Sequence, residues 1–242
     1  MHSKIVAAQQ FRGPPNSGNG GYVCGLMARS FNGPVTAMLR APPPLDTPLD
    51  LVVEDGVARI LGEDGTLIGE AKPGEPSVLP APPPPPSLAA ATAAAAGFPG
   101  LHRPFHPVCF TCGDQPDDGF GLRVFVGQVE GMDPGVVAGP WTVHPNFADA
   151  DGLAPVEVVW AALDCPGSVA WVVTEGGGGL LGTMTGEILR RPAVGETTIV
   201  VAWPIEQSGR KRYSGTALYS ADGELMALSH QIWIGRTPSS PE

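Results

Sequence analysis

The chain has 242 residues, enough for one large domain or two small ones with a substantial core. Hydrophobic residues make up 43% and charged residues 16%, which is typical of a globular rather than a disordered protein. The 14 basic and 24 acidic side chains give a net charge of −10, which argues against a nucleic-acid or anionic-membrane surface as partner.

Targeting signals are not evident in the sequence. No apolar run approaches the roughly 18–20 residues of a membrane span, and no charged segment followed by an apolar one opens the chain. The four cysteines are too few for a disulfide framework. We therefore expect a cytoplasmic protein with reduced thiols and no membrane partner.

The first predicted unit contains a short strand, a Gly/Pro-rich loop, a helix from Gly21 to about Ser30, and then several strands. Asp64-Gly65 lies between two apolar runs of this unit, which indicates a hairpin turn. The unit ends where proline becomes frequent, so we set its limits at 1–76.

Residues 77–104 form a predicted linker. Five consecutive prolines, Pro82 to Pro86, favour an extended, semi-rigid spacer. The Ala-rich stretch Ala89 to Ala96 can add a turn or two of helix. The remaining chain, 105–242, is the second predicted unit.

The second unit contains a predicted helix from Pro155 to about Cys165. Pro155 suits the first helical turn, where its missing N–H costs nothing. Pro166-Gly167 should end or kink this helix. Asp222-Gly223 again indicates a hairpin near the end of the chain.

The two units resemble each other in sequence. Leu39-Arg40 and Leu189-Arg190 are offset by 150 residues, and Asp64-Gly65 and Asp222-Gly223 by 158. A nearly steady offset across blocks in one order indicates a duplication. One helix against an antiparallel sheet, twice, predicts an α+β fold.

This pattern resembles the hot-dog superfamily, in which a curled antiparallel sheet wraps a central helix. The tandem form is similar to acyl-CoA thioesterases of the thioesterase II type, so the resemblance implies a double hot-dog fold. The second unit opens with Cys109-Phe-Thr-Cys-Gly113, followed by Gly119 to Arg123, which resembles the start of phenylacetate-type (PaaI-like) hot-dog thioesterases. Because hot-dog proteins usually associate, a homo-oligomer is one open outcome.

The resemblance also implies site residues. Asn19, Gly20 and Gly21 occupy the position where hot-dog thioesterases have a glycine-rich helix start, and we assign them to substrate binding. Asp164 occupies the position of the helix carboxylate and Gln231 that of the last-strand glutamine. The strand before Arg191-Pro192 supplies a threonine in the related enzymes. Thr183 or Thr185 can take this position, and Thr183 is our candidate.

The two helix segments complement each other. The first keeps the glycines but has Ala28 at the position of the acid, whereas the second keeps Asp164 and has Val156 and Glu157 in place of the glycines. Since a hot-dog site takes its helix start from one unit and its acid from the other, one complete and one degenerate site are expected.

These residue types suit thioester hydrolysis. Free N–H groups at a helix start stabilise an oxyanion, and Asp164 would act as general base on water or, as an alternative, as nucleophile. Glu157, Trp160 and Asp164 share one helix face. Because a core-facing stripe does not usually carry two carboxylates, we expect this face to line the substrate site.

We therefore predict hydrolysis of an acyl-CoA or acyl-carrier thioester with no metal and no cofactor other than the coenzyme A of the substrate. A non-catalytic acyl-CoA-binding or lipid-binding module is the alternative. A hot-dog dehydratase is disfavoured because no Asp-x4-His pair follows either helix start. Zinc bound by His102, His106, Cys109 and Cys112 stays open, and Cys24 and Cys165 are most simply buried small apolar groups.

Overall fold

A computed structural model describes residues 1–103, 105–116 and 119–235. The last seven residues of the second predicted unit, 236–242, and Pro104 of the predicted linker lie outside the described residues. The helices are α1 (Gly20–Ala28), α2 (Leu88–Ala95), α3 (Pro99–His102) and α4 (Val156–Glu175). The strands are β1 (His2–Val6), β2 (Val35–Leu39), β3 (Pro48–Glu54), β4 (Val57–Leu61), β5 (Leu67–Pro73), β6 (Gly127–Gln128), β7 (Val137–Thr142), β8 (Gly179–Ile188), β9 (Thr197–Ser208), β10 (Lys211–Ser220) and β11 (Leu225–Gly235).

In the described part of the chain, eleven strands form one antiparallel sheet in the order β1-β3-β4-β5-β2-β8-β11-β10-β9-β7-β6. The strands of the first half pair in the order β1-β3-β4-β5-β2, and those of the second half in the matching order β7-β9-β10-β11-β8. The pairing of β2 with β8, from Val35 opposite Gly186 to Met38 opposite Thr183, joins the halves. One large antiparallel sheet with few helices agrees with the α+β prediction.

Helices α1 and α4 lie against each other in the core. Residues 21–28 of α1 are all buried, which is typical of a helix surrounded by protein. α4 buries Val159, Ala161 and Leu163 in the same apolar cluster. The packing of one helix from each half therefore forms the centre of the molecule.

The boundary predicted for the second helix was wrong, because α4 continues through Pro166 and ends ten residues after Cys165, at Glu175. Proline removes one helical hydrogen bond, to the carbonyl four residues earlier. Side chains of the sheet donate to nearby helix carbonyls: Gln231 to Leu163 at 2.7 Å and Ser214 to Gly167 at 2.7 Å. The helix ends at Gly176, whose φ of +71° suits glycine.

Both predicted hairpins are confirmed. Gly65 lies between β4 and β5, and Gly223 lies between β10 and β11, with φ of +80° and +88°. A positive φ is accessible to glycine because it has no Cβ. The repeated Asp-Gly pairs therefore mark equivalent turns of the two halves.

The segment between the halves packs on the sheet. The Ala-rich stretch forms α2. Ser87 caps the start of this helix, because its side-chain oxygen accepts the N–H of Ala90 at 3.2 Å. Ala91 and Ala94 of α2 are buried in a second apolar cluster. This stretch is therefore helical and packed, with more apolar surface buried than a free spacer would have.

No apolar run of membrane-spanning length was predicted, but α4, with 20 residues, is long and apolar enough to cross a membrane by length and composition alone. In this fold 67% of its most apolar window is buried inside the protein. Burial in a core and burial in lipid select the same side chains, so α4 is accounted for as a core helix.

Candidate active site

The two core helices approach each other through glycines. A Cβ on Gly21 would lie 2.6 Å from the Trp160 carbonyl oxygen and from the Asp164 Cβ, and one on Gly25 would lie 2.4 Å from the Glu157 Cα. No larger side chain fits at either position without moving a helix. The close approach brings the start of α1 within hydrogen-bonding reach of α4 side chains.

Asn19 caps the start of α1. Its Oδ1 accepts the N–H of Tyr22 at 2.9 Å, and its Nδ2 donates to Thr111 Oγ1 at 3.2 Å. Thr111 in turn donates to the Ala161 carbonyl at 2.8 Å. Asn19 thus holds the helix start in place through partners on α1 and near α4, rather than presenting a free side chain.

Asp164 lies at the junction of the two halves. Its Oδ2 accepts the N–H of Gly21 at 3.0 Å, whereas its buried Oδ1 accepts no hydrogen bond from the described residues. Asp164 is only 3% exposed. Burial raises its pKa to about 7, and hydrogen bonding from the Gly21 N–H and, more weakly, from the Asn19 side chain opposes this rise. A carboxyl with such a pKa accepts and returns protons near neutral pH.

The N–H groups of α1 are used unequally. The Gly21 N–H is donated to Asp164 and the Tyr22 N–H to Asn19, while the Gly20 N–H has no hydrogen-bond acceptor among the described residues. Position 20 is covered by Leu181, whose Cβ and Cδ2 would lie 3.1 Å from a Cβ placed on Gly20. The donor available to an oxyanion is therefore at Gly20 rather than Gly21.

Gln231 is fully buried beside α4. Its Nε2 donates to the Leu163 carbonyl at 2.7 Å and lies 3.1 Å from Ser229 Oγ, and its Oε1 accepts from Trp233 Nε1 at 2.9 Å. A Cβ on Gly167 would lie 1.9 Å from Oε1, so glycine is needed there. The Gln231 amide is committed to the protein, and it contacts α4 one residue before Asp164.

The structure does not bring Thr183 to this site. Gln231 is paired with Met184 across β11 and β8, and Thr183 is paired with Ile232. Because successive side chains of a strand point to opposite faces, Thr183 lies on the face away from Gln231. Met184 Sδ, 4.0 Å from Gln231 Nε2, occupies the inward position.

Glu157 and Trp160 lie towards the other end of the helix pair. Glu157 Oε1 is 3.5 Å from Arg29 Nη1, and the Trp160 ring lies against Gly186. Trp160 also borders a cavity of about 560 Å³ between the end of α1 and the start of α4, which Asp164 does not line. The cavity is at the end of the helix pair where α1 has Ala28 in place of an acid.

Three thiols cluster next to Asp164. The sulfur atoms of Cys109, Cys112 and Cys165 all lie within 4.8 Å of one another, and those of Cys109 and Cys165 are 3.6 Å apart. His102 and His106 do not belong to this cluster, so the four-residue zinc set considered from sequence is not assembled. Hydrogen bonds from the other two thiols lower the pKa of Cys109.

Sequence reasoning missed Thr111, Leu181 and the clustering of Cys165. Thr111 lies inside the Cys-x2-Cys stretch, but its partner Asn19 is 92 residues away. Leu181 is one of several similar leucines. No local signal could have found these contacts, because they arise from the packing of distant segments.

The chain matches no family model and no curated protein. It is similar in structure to a proposed thioesterase from Novosphingobium aromaticivorans DSM 12444, at 14% identity over 98% of this chain and 96% of that chain, with a TM-score of 0.63. An acyl-CoA thioesterase II from Mycobacterium marinum aligns at 13% identity over 98% and 94% of the two chains, with a TM-score of 0.59.

A conserved protein of unknown function with hot dog fold from Alicyclobacillus acidocaldarius aligns at 14% identity over 98% and 93% of the chains, with a TM-score of 0.58. At such identities the likeness establishes the fold: this chain has a hot-dog fold. More particularly, nearly its whole length follows the arrangement of thioesterase II structures, which confirms the resemblance stated from the sequence as far as the fold is concerned.

Proposed function

We propose that the chain hydrolyses acyl thioesters at the composite site formed by Asp164 of α4 and the start of α1. The observation that carries this proposal is the hydrogen bond from the Gly21 N–H to Asp164 Oδ2, which leaves the buried Oδ1 without a partner. A carboxylate held by one oxygen keeps the other available to accept a proton from water.

The proposed reaction uses few groups. Asp164 Oδ1 takes a proton from water as the water oxygen attacks the thioester carbonyl carbon. The Gly20 N–H donates to the oxyanion, aided by the partial positive charge of the helix start. When the C–S bond breaks, the Asp164 carboxyl returns the proton to the thiolate. The products are a carboxylic acid and a free thiol, and no metal or added cofactor takes part.

Gln231 has a positioning role in this proposal. Its contact with the Leu163 carbonyl fixes the helix turn that carries Asp164. Asn19 and Thr111 hold the start of α1 against α4, because Asn19 donates to Thr111 and Thr111 donates to the Ala161 carbonyl. Thr183 has no role in this mechanism because it lies on the other face of the sheet.

We further propose that each half is one hot-dog unit, so that the chain is a tandem of two. The matching strand orders and the single core helix of each half support this. An acyl-CoA thioester is the proposed substrate class, which the name of one structural neighbour, an acyl-CoA thioesterase II, favours, and an acyl-carrier thioester is the alternative. A cytoplasmic location is supported by four cysteines without a disulfide.

The test is hydrolysis of acyl-CoA esters of short to long chain length, with free coenzyme A measured by chromatography because the protein's own cysteines would react with thiol reagents. Asp164→Asn keeps an oxygen for the Gly21 N–H but cannot act as base, so kcat/KM should fall about 100-fold or more. Glu175→Gln removes a carboxylate from the exposed end of the same helix and is the matched control.

Two results would overturn the proposal. One is hydrolysis by Asp164→Asn at the rate of the Glu175→Gln control. The other is tight binding of acyl-CoA by the unmodified protein without release of coenzyme A at any chain length, which would identify a binding module instead.

A further inference from the structure

We infer that Cys109, Cys112 and Cys165 form a three-thiolate site for a thiophilic metal ion of the Zn²⁺ or Cu⁺ class. This inference is independent of the proposed hydrolysis, which uses none of the three sulfurs. It concerns a structural tie between the loop of residues 109–113 and helix α4.

The spacing of the sulfur atoms suits one bound ion. With metal–sulfur bonds of about 2.3 Å, the sulfurs of a trigonal or tetrahedral site lie about 3.8–4.0 Å apart. The Sγ atoms of Cys109 and Cys165 are 3.6 Å apart, and all three sulfurs lie within 4.8 Å of one another. Shifts of up to about 1 Å in the sulfur positions would complete the geometry.

The local backbone is folded so that two of the ligands come from one turn. The N–H of Gly113 donates to the Cys109 carbonyl at 2.8 Å. A Cβ on Gly113 would lie 2.5 Å from the carbonyl oxygens of Cys109 and Pro107, so only glycine fits this turn. Cys-x2-Cys followed by glycine in a tight turn is a common way of presenting two thiolates to one ion.

The third thiol comes from a distant segment. Cys165 lies in the middle of α4, 56 residues after Cys109. Among the described residues, no histidine or carboxylate joins the three sulfurs within 4.8 Å. The protein therefore supplies three soft ligands and no hard one, which selects thiophilic ions over Mg²⁺ or Ca²⁺.

Burial of thiols as small apolar groups is the competing explanation, and Cys24 illustrates it. Cys24 is fully buried in α1 and does not belong to the cluster. Apolar packing explains one buried cysteine at a time, but it does not require three to converge on a single point. Binding would replace the thiol protons, because each thiol releases one proton to solvent and binds the metal as a thiolate.

The experiment measures metal content by mass spectrometry in protein purified under reducing conditions without a polyhistidine tag, after loading with Zn²⁺ or with Cu⁺. Unmodified protein and Cys24→Ala should retain about one ion per chain, and Cys109→Ala and Cys165→Ala should retain less than about a tenth of that. Chelation should lower the Tm of the unmodified protein and of Cys24→Ala, and it should leave the Tm of Cys109→Ala and Cys165→Ala unchanged.

Co²⁺ gives a readout that needs no variant. The intensity of its sulfur-to-metal charge-transfer absorption reports the number of bound thiolates, and we expect three in the unmodified protein. Retention of Cu⁺ but not Zn²⁺ would support the site and identify the ion. Equal metal content in all four proteins would overturn the inference, as would a Cys109–Cys165 disulfide in metal-free protein that takes up neither ion after reduction.

Discussion

The Asp164 carboxylate accepts the N–H of Gly21 at 3.0 Å, although the two residues are 143 positions apart in the chain. The contact joins the helix of one half of the protein to that of the other. It exists because glycine at position 21 lets the helices come close enough for the carboxylate to reach the backbone. The same residue type thus serves both the packing and the candidate chemistry, and the two roles can be separated by experiment.

Gly25 serves the packing without contacting the carboxylate. Gly25→Ala places a Cβ 2.4 Å from the Glu157 Cα, so the helices must move apart. We expect the free energy of unfolding to fall by about 1–3 kcal/mol because of overpacking. Denaturant unfolding measures this. Gly97→Ala is the control, since its nearest atom is the Ala94 oxygen at 3.3 Å. Similar losses in both variants would contradict the close-packing explanation.

Gln231→Met removes the buried amide but keeps much of its volume. The Leu163 carbonyl and the Trp233 Nε1 then lose their partner. Buried polar groups without partners cost about 1–3 kcal/mol each, so the free energy of unfolding should fall by about 2–6 kcal/mol. If Gln231 instead orients the attacking water, the variant would lose kcat while keeping its stability. Unfolding and kinetics measured on the same preparation distinguish the two roles.

Leu181→Ala should open the start of α1. The Leu181 side chain lies over Gly20, whose N–H is the proposed oxyanion donor. We expect kcat/KM for acyl-CoA to rise several-fold because the substrate carbonyl no longer has to displace this side chain. Leu180→Ala, at the exposed neighbouring position, should leave the rate unchanged. A fall in rate for Leu181→Ala alone would show that this side chain holds the substrate instead.

The pH dependence of stability should reveal Asp164. Its pKa is raised from 3.8 to about 7, so between these values the native state binds a proton that the unfolded chain has lost. Stability therefore falls as pH rises, by about 1.4 kcal/mol per pH unit where only the native carboxyl stays protonated, and levels off above the native pKa. Asp164→Asn lacks this titrating carboxyl, so its free energy of unfolding, relative to that of the unmodified protein, should rise with pH.

That comparison is best made by denaturant unfolding from pH 4.5 to 8.5 with a chelator present, so that metal at Cys165 does not alter the local charge. Parallel curves for the two proteins would show that the carboxyl has an ordinary pKa.

The sequence by itself determined two equivalent hairpins, one in each half of the chain. Asp64-Gly65 and Asp222-Gly223 specify equivalent hairpins because glycine is the residue that readily adopts a positive φ there. The comparison of two helix segments placed glycines on one and Asp164 on the other. Such signals are local, since they depend on backbone freedom and on side-chain periodicity within a few residues.

Local signals misjudged the end of α4, which tertiary contacts support. Pro166 predicted an end or a kink of α4, but packing and side-chain donors such as Gln231 carry the helix on to Glu175. The Ala-rich stretch forms the short helix that its composition allows, and the sheet adds the burial of Ala91 and Ala94. Propensity is worth tenths of a kilocalorie per residue, and burial outweighs it.

Only the tertiary structure decided which side chains meet. The strand register turned Thr183 away from Gln231 and put Met184 in its place, since one residue along a strand changes the face. It gathered Cys165 with the Cys-x2-Cys turn and left His102 and His106 out. It also separated the 560 Å³ cavity from Asp164. These relationships depend on long-range packing geometry, which no spacing within one segment encodes.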